Sequence, residues 1–355
     1  MLTLIRKLFG ASAGPAAARE QAPAVHAVAA PSEVASGAAP AFRIAAHCRL
    51  QQGYPIMDWA AAGGWADALA EEEQAPAWRA IERAWLLHLR DALGAGFQLL
   101  ESDNCLLLAA VEEHVAHATL AFMERTRKRV VRTLDGIARV TPGGKDILVV
   151  FDDEDSYYRY VSHAYPDGGE FASSGGMYID GGCGHFVTVR RDLGAIEPVI
   201  AHEMTHGCLA HLPIPLWLNE GLAVNTEQRL TGVQPALFSA RDMHDKHCAF
   251  WGAAEIQEFW SGWSFQRIDD GNLLSYDLAR ILVAYLGKDW ASFRRFVLAA
   301  NAADGGARQR SSTWARTWGN WCAPCSGRRI RPAGARQRRP EFSLRLACLR
   351  QVSGV

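Results

Sequence analysis

The order of apolar and polar positions predicts a helical stretch first. Trp65, Leu69, Trp78, Ile81, Trp85, Leu86 and Leu89 recur at near-helical spacing across residues 59–93. Two short apolar runs, 97–100 and 105–109, flank the turn residues Ser102, Asp103 and Asn104 and predict a strand pair, after which residues 112–134 return to a helical period. Residues 146–151 read DILVVF, a β-rich apolar run of the buried-strand type. It is entered through Pro142, Gly143 and Gly144 and followed by acids that suit the positive end of a helix. Segments 176–180 and 185–190 flank a Gly-rich turn and predict a hairpin. Helices follow at 196–212, with Pro198 in the first turn and Pro213 and Pro215 beyond the end, and at 217–230, stopped by Gly232. A last helix is predicted at 273–286. Strands leading into helices in this order predict an α+β fold: a small mixed or antiparallel sheet, then a helix carrying the site described below, then a mostly helical C-terminal lobe.

Composition adds boundaries to this picture. The chain has 355 residues, half of them apolar, enough to bury a sizeable core. Residues 11–40 are almost wholly Ala, Pro, Gly and Ser and lack the large apolar side chains that offset ordering entropy, so residues 1–40 are expected to be a disordered leader. Residues 41–95 are then a helical N-terminal region, 96–300 the main domain and 301–355 an Arg-rich irregular tail. Net charge is near zero, but from Ala307 onward Glu341 is the one acid among many Arg residues, so the body is acidic and the tail basic. Arg6 and Lys7 interrupt an N-terminal apolar run that is too short for a secretion signal or a membrane span. Eight cysteines are scattered without a disulfide framework, and a cytoplasmic location is expected.

The candidate chemistry sits in the helix predicted at 196–212. His202, Glu203, Met204, Thr205 and His206 form an HExxH pentapeptide. Four residues advance a helix by little more than one turn, so the two imidazoles leave the same face and reach one ion, while Glu203 stands beside them without ligating. Catalytic zinc takes three protein ligands and keeps a fourth position for water, so a third ligand is required. Glu220 is the candidate, because the Pro213/Pro215 break reverses the chain and starts a second helix that carries a carboxylate back toward the histidines. A chance match on a charged helix surface is the competing explanation of the pentapeptide taken alone.

Residues 217–223 read WLNEGLA, which resembles the WLNEGFA-type segment supplying the third zinc ligand in aminopeptidase-N-like gluzincins, the thermolysin-related superfamily of zinc peptidases. The resemblance is specific in these two motifs and extends over residues 97–299 only as an order of elements. It implies a zinc peptidase with one zinc per chain, held by His202, His206 and Glu220, with Glu203 as general base and a peptide or protein as substrate. Two departures separate the chain from typical aminopeptidases: the interval between His206 and Glu220 is shorter, and no GAMEN-type exopeptidase motif is present. Endo- and exopeptidase action, side-chain preference and oligomeric state all stay open.

Peptide hydrolysis also needs a donor to the developing oxyanion. Residues 275–280, SYDLAR, resemble the helix that carries the transition-state tyrosine in related gluzincins, which points to Tyr276; packing inward beside Leu273, Ala279 and Val283 is the equal alternative. The superfamily also pairs the substrate backbone with an edge strand beside the zinc helix, and Gly175, Gly176, Met177 and Tyr178 are placed for that, an ordinary core hairpin being the alternative. His185, His244 and His247 are weaker donors, better explained as satisfied or surface histidines.

Three further signals are set aside. Residues 321–325, WCAPC, copy a thioredoxin-type redox motif, but no βαβ pattern surrounds them. Back-translated with G/C-ending codons and read from the third letter, residues 317–327 give LGELVRALLG, an amphipathic helix, so a frameshift near Gly305 is expected to have produced the tail. That origin also weakens the basic tail as a nucleic-acid surface, and no nucleic-acid partner is expected. Asp152–Asp155 lack EF-hand spacing, and His114 and His117 read as helix surface. Two alternatives to a peptidase follow: a zinc-binding scaffold without turnover, and, through the tail, a redox or nucleic-acid-binding protein.

Overall fold

The computed structural model describes residues 28–140, 142–164, 175–232 and 238–304. In chain order the elements are β1 (Glu33–Val34), β2 (Phe42–Arg43), α1 (Ile44–His47), β3 (Cys48–Gln51), β4 (Tyr54–Met57), α2 (Trp59–Asp67), α3 (Glu71–Leu93), β5 (Gln98–Glu101), β6 (Cys105–Ala109), α4 (Glu113–Thr133), β7 (Asp146–Phe151) and α5 (Glu154–Val161). They continue with β8 (Gly176–Asp180), β9 (Gly184–Val189), α6 (Leu193–Leu209), α7 (Leu216–Thr231), α8 (Ala240–Phe250), α9 (Glu255–Ser261), α10 (Asp270–Leu286) and α11 (Trp290–Ala299).

The architecture is the expected α+β, built on a mixed five-stranded sheet in the order β5-β6-β7-β9-β8. The inner strands β6, β7 and β9 run parallel, while the edge strands β5 and β8 are antiparallel to their neighbours. Parallel strands need both faces covered, which explains why β6 and β7 are almost continuously apolar. One face presents Cys105, Leu107, Leu148, Val150 and Phe186 to a core shared with α4, α6, α7 and α10. The other presents Leu106, Leu108, Ile147, Val149 and Val187 to Trp85, Leu86 and Leu89 of α3 and to Tyr157 and Tyr160 of α5. Burial of these side chains stabilises the fold by roughly 1.5–3 kcal/mol each before entropy is counted.

Several expectations need correction. Residues 28–40 are held, not free: β1 pairs with β2, Arg90 donates to the Val28 carbonyl at 2.8 Å, and His88 Nε2 lies 2.9 Å from the Pro31 carbonyl oxygen. Residues 41–95 are not purely helical, because β3 and β4 form an antiparallel ribbon whose Pro55 carbonyl accepts from the Trp85 indole at 3.0 Å. The helical stretch expected at 59–93 is present as two helices, separated between Asp67 and Glu71. α6 begins three residues earlier than expected, so Pro198 lies inside the helix and not in its first turn. The helical lobe also contains α8, α9 and α11, so 273–286 is not its last helix. The WCAPC segment and the Arg-rich tail beyond residue 304 lie outside the described residues, as does the leader before residue 28.

Local chemistry explains the segments that position the site. α7 starts where Pro215, fixed near φ −65°, lets its carbonyl accept from Leu218 and Asn219 at 3.0 and 3.1 Å. It stops at Gly232, whose φ of +72° is the left-handed cap conformation that glycine adopts without strain. Gly221 is required for a different reason. A Cβ there would sit 2.6 Å from the Ala279 carbonyl oxygen, so its absence lets α10 pack backbone to backbone on α7. Asn225 locks the same contact by donating to the Arg280 carbonyl at 2.9 Å.

Candidate metal centre

His202 and His206 leave one face of α6 with ring centroids 4.8 Å apart. From α7, Glu220 Oε2 reaches 3.3 Å from His202 Nε2 and 3.5 Å from His206 Nε2. The three donor atoms lie within 4.8 Å of one another, and this is the one His/Cys/Asp/Glu group among the described residues that could hold a metal ion. Glu220 Oε2 is buried and has no hydrogen-bond partner although both imidazoles are at ion-pair distance. A buried carboxylate oxygen without a hydrogen bond is costly, and a cation shared with the two Nε2 atoms would satisfy it. The donor set therefore fits a metal ion.

The far nitrogens of both rings are also fixed. His202 Nδ1 donates to Glu227 Oε2 at 3.0 Å, and His206 Nδ1 donates to Asn219 Oδ1 at 3.0 Å. With the protons on Nδ1, both Nε2 lone pairs face Glu220, the arrangement in which an outer partner orients a metal-ligating imidazole. Asn219 and Glu227 carry no role in the sequence patterns above. For Glu227 a signal existed: it follows Glu220 by seven residues, two turns along α7, and so shares its face. Without an ion in the cluster, burial lowers the affinity of both imidazoles for a proton, but the Glu220 carboxylate, joined at His202 by Glu227, overcomes this and raises both. Burial raises Glu220 as well, yet the two imidazoles hold it well below the usual carboxylate range.

Glu203 lies beside this cluster with 7% of its surface exposed. Burial pushes its carboxyl above the ordinary range, against the pull of His202 and His206 and a hydrogen bond from the Tyr178 backbone N–H. β8, the sheet edge, runs along α6. A Cβ on Gly176 would collide with Val199 and stand 3.6 Å from Glu203 Cγ, so glycine is needed for this close approach. Gly175 precedes the strand, its carbonyl accepting from Thr188 Oγ1 at 2.6 Å. Met177 packs to the α3 side of the sheet and Tyr178 to the α6 side, where its ring lies over Gly207.

Tyr276 lies on α10, the helix packed on α7, half-buried and edge-on to Phe265 at 5.2 Å between centroids. His185 is a satisfied core histidine: Nδ1 donates to the Cys183 carbonyl at 2.8 Å, Nε2 accepts from Tyr160 at 2.8 Å, and burial lowers its pKa to about 4. His247 is also satisfied, with Nε2 donating to Asp277 at 2.9 Å and Nδ1 accepting from Trp251 at 2.8 Å. His114 and His117 are exposed on α4, and Asp153 caps α5 by accepting from Ser156 N at 2.7 Å.

No protein-family model matches this sequence, and no curated protein matches it. Among the described residues no helix is long and apolar enough to cross a membrane.

Proposed function

We propose that the chain is a zinc-dependent peptidase of the gluzincin type. The observation that carries this reading is the buried Glu203 set beside a His-His-Glu donor group whose third oxygen lacks a hydrogen bond. A structural metal site has no use for a carboxylate next to the ligands, whereas hydrolysis requires a base there.

His202, His206 and Glu220 would hold the ion, with Glu227 and Asn219 fixing the ring tautomers. Two imidazoles and a carboxylate suit zinc, which when bound lowers the pKa of a coordinated water and polarises a carbonyl oxygen. Glu203 takes the proton from the attacking water and passes it to the leaving amine. β8, the outer strand of the sheet among the described residues, pairs from Gly175 to Tyr178 with the extended substrate backbone, the Tyr178 N–H passing from Glu203 to the substrate. Tyr276 donates to the oxyanion. Five free cysteines among the described residues suit a reducing compartment, and the cytoplasm is the proposed location.

Kinetics on a casein or peptide-library substrate test the reading. Glu203→Gln is expected to bind zinc as wild type does and to lose about 10²–10⁴-fold in kcat. Turnover by that variant at the wild-type rate, or no turnover by the zinc-loaded wild type, removes the peptidase assignment and leaves a zinc-binding scaffold. In the same assay Tyr276→Phe, which keeps the edge contact with Phe265, separates a donor from a packing residue: loss of kcat at unchanged KM marks a donor.

A further inference from the structure

α4 carries a basic stripe on its outer side. Arg125, Lys128, Arg129 and Arg132 stand three, four and seven residues apart and so share one face, while Phe122, Met123, Thr126 and Val130 turn to the core. Arg125, Lys128 and Arg132 are exposed and Arg129 is partly so. Arg125 also lies over the Phe122 ring at 5.9 Å. Among the described residues the one arginine or lysine of α4 in an ion pair is Arg127, off the stripe, with Asp146 at 3.0 Å. Arg294 of α11 adds an exposed charge against Gly136, just past the end of α4. Leu298, 49% exposed, follows Arg294 by one turn on the same face of α11.

Helix electrostatics do not account for this row. The pull of a helix C-terminus on a cation fades within the last turn, which holds Arg132 but not Arg125 or Lys128. Arg125 and Arg129, like Lys128 and Arg132, are like charges four residues apart and repel each other. A negative surface laid along the stripe removes that cost.

The start of the chain, outside the described residues, carries a second signal. On a helical period Met1, Leu2, Leu4, Ile5, Leu8 and Phe9 fall within an arc of about 160°, and Thr3, Arg6, Lys7 and Gly10 occupy the other side. An apolar half opposed by cations is the pattern of a segment that lies in a lipid interface, and this one is too short to span a bilayer. A nucleic acid or an acidic protein would match the α4 charges but not this apolar half. Residues 10–27 connect it to Val28, which is 57% exposed, over at most about 60 Å, so both contacts can meet one bilayer.

We propose that the protein binds the surface of a membrane rich in anionic lipid, with the α4 stripe against the headgroups and residues 1–9 in the interface. One short apolar segment attaches reversibly, and a basic patch supplies the second signal that stable attachment needs. The inference does not rest on the peptidase reading.

Co-sedimentation of the full chain with vesicles tests it, phosphatidylcholine alone against an equal mixture with phosphatidylglycerol. Binding to the mixed vesicles is expected to be at least about tenfold tighter than to the neutral ones and to fall severalfold as salt rises from about 0.05 to about 0.5 M. Lys128→Gln with Arg132→Gln, two exposed changes that spare the core, should weaken it about tenfold or more. Leu4→Ser with Leu8→Ser should weaken it by a similar factor and leave thermal unfolding unchanged. No binding to the mixed vesicles, equal binding to neutral ones, wild-type affinity in either double variant, or displacement from the vesicles by a short single-stranded RNA overturns the proposal.

Discussion

Glu227 Oε2 accepts the Nδ1 proton of His202 at 3.0 Å, twenty-five residues away along the chain and on the next helix. With Asn219 doing the same for His206, it turns two flexible rings into a fixed pair of lone pairs facing Glu220. Removing such outer partners costs about 10–100-fold in metal affinity. Glu227→Ala and Asn219→Ala are therefore expected to weaken zinc binding by that factor, read by competition with a chromogenic chelator. Glu227→Gln, which keeps an acceptor oxygen, should lose less. Equal affinity in both alanine variants and wild type would show that the rings are held by packing alone.

Gly221 gives a packing prediction. A methyl there meets the Ala279 carbonyl oxygen at 2.6 Å and Val283 Cγ2 at 2.6 Å, so α7 and α10 must separate. Gly221→Ala should destabilise by about 1–3 kcal/mol despite the better helix propensity of alanine, and should weaken metal binding because Glu220 is the adjacent residue. Thermal unfolding with and without zinc reads both effects.

Glu82 gives a pH dependence. Its folded pKa, about 7, lies above the unfolded value near 4.5, because burial disfavours its charge. The folded state therefore holds the proton more tightly. Stability from this group is fully present below about pH 4.5 and is lost as pH rises through about 7, in total on the order of 3 kcal/mol. Glu82→Gln should be more stable than wild type at pH 8 and lose most of the slope between these limits; Asp146, raised by burial to about 6, keeps a smaller slope of the same sign. Denaturant unfolding across this range is the measurement, and parallel profiles for variant and wild type would contradict it.

What the sequence made legible were elements whose signal is local. DILVVF, the 176–180 and 185–190 hairpin arms and the HExxH helix each carry their period or turn residues within one window, and each is found in place. The ribbon β3–β4 was not legible, since its Tyr54-Pro55 segment is held by distant groups: Trp85 on the Pro55 carbonyl, and Tyr54 Oη on the Ser156 carbonyl at 3.1 Å. α8 and α9 were missed because they are short and are fixed by an aromatic cluster in which Trp251 and Phe259 pack at 5.8 Å. Within the site, the ligand triad follows from helix geometry and the Pro213/Pro215 reversal. Of the ring partners, Glu227 is signalled only by its seven-residue spacing from Glu220 and Asn219 by nothing in the pattern, because a hydrogen bond between helices depends on how those helices dock, here on the glycine contact at 221.

The proposed chemistry requires one ion shared by His202, His206 and Glu220. Metal content of the purified chain, measured by mass spectrometry after dialysis against zinc-containing and then metal-free buffer, tests this directly. About one zinc per chain is expected for wild type and for Glu203→Gln, and near none for His202→Ala or Glu220→Ala. Zinc-free wild type, or full zinc retained in both ligand variants, would contradict it.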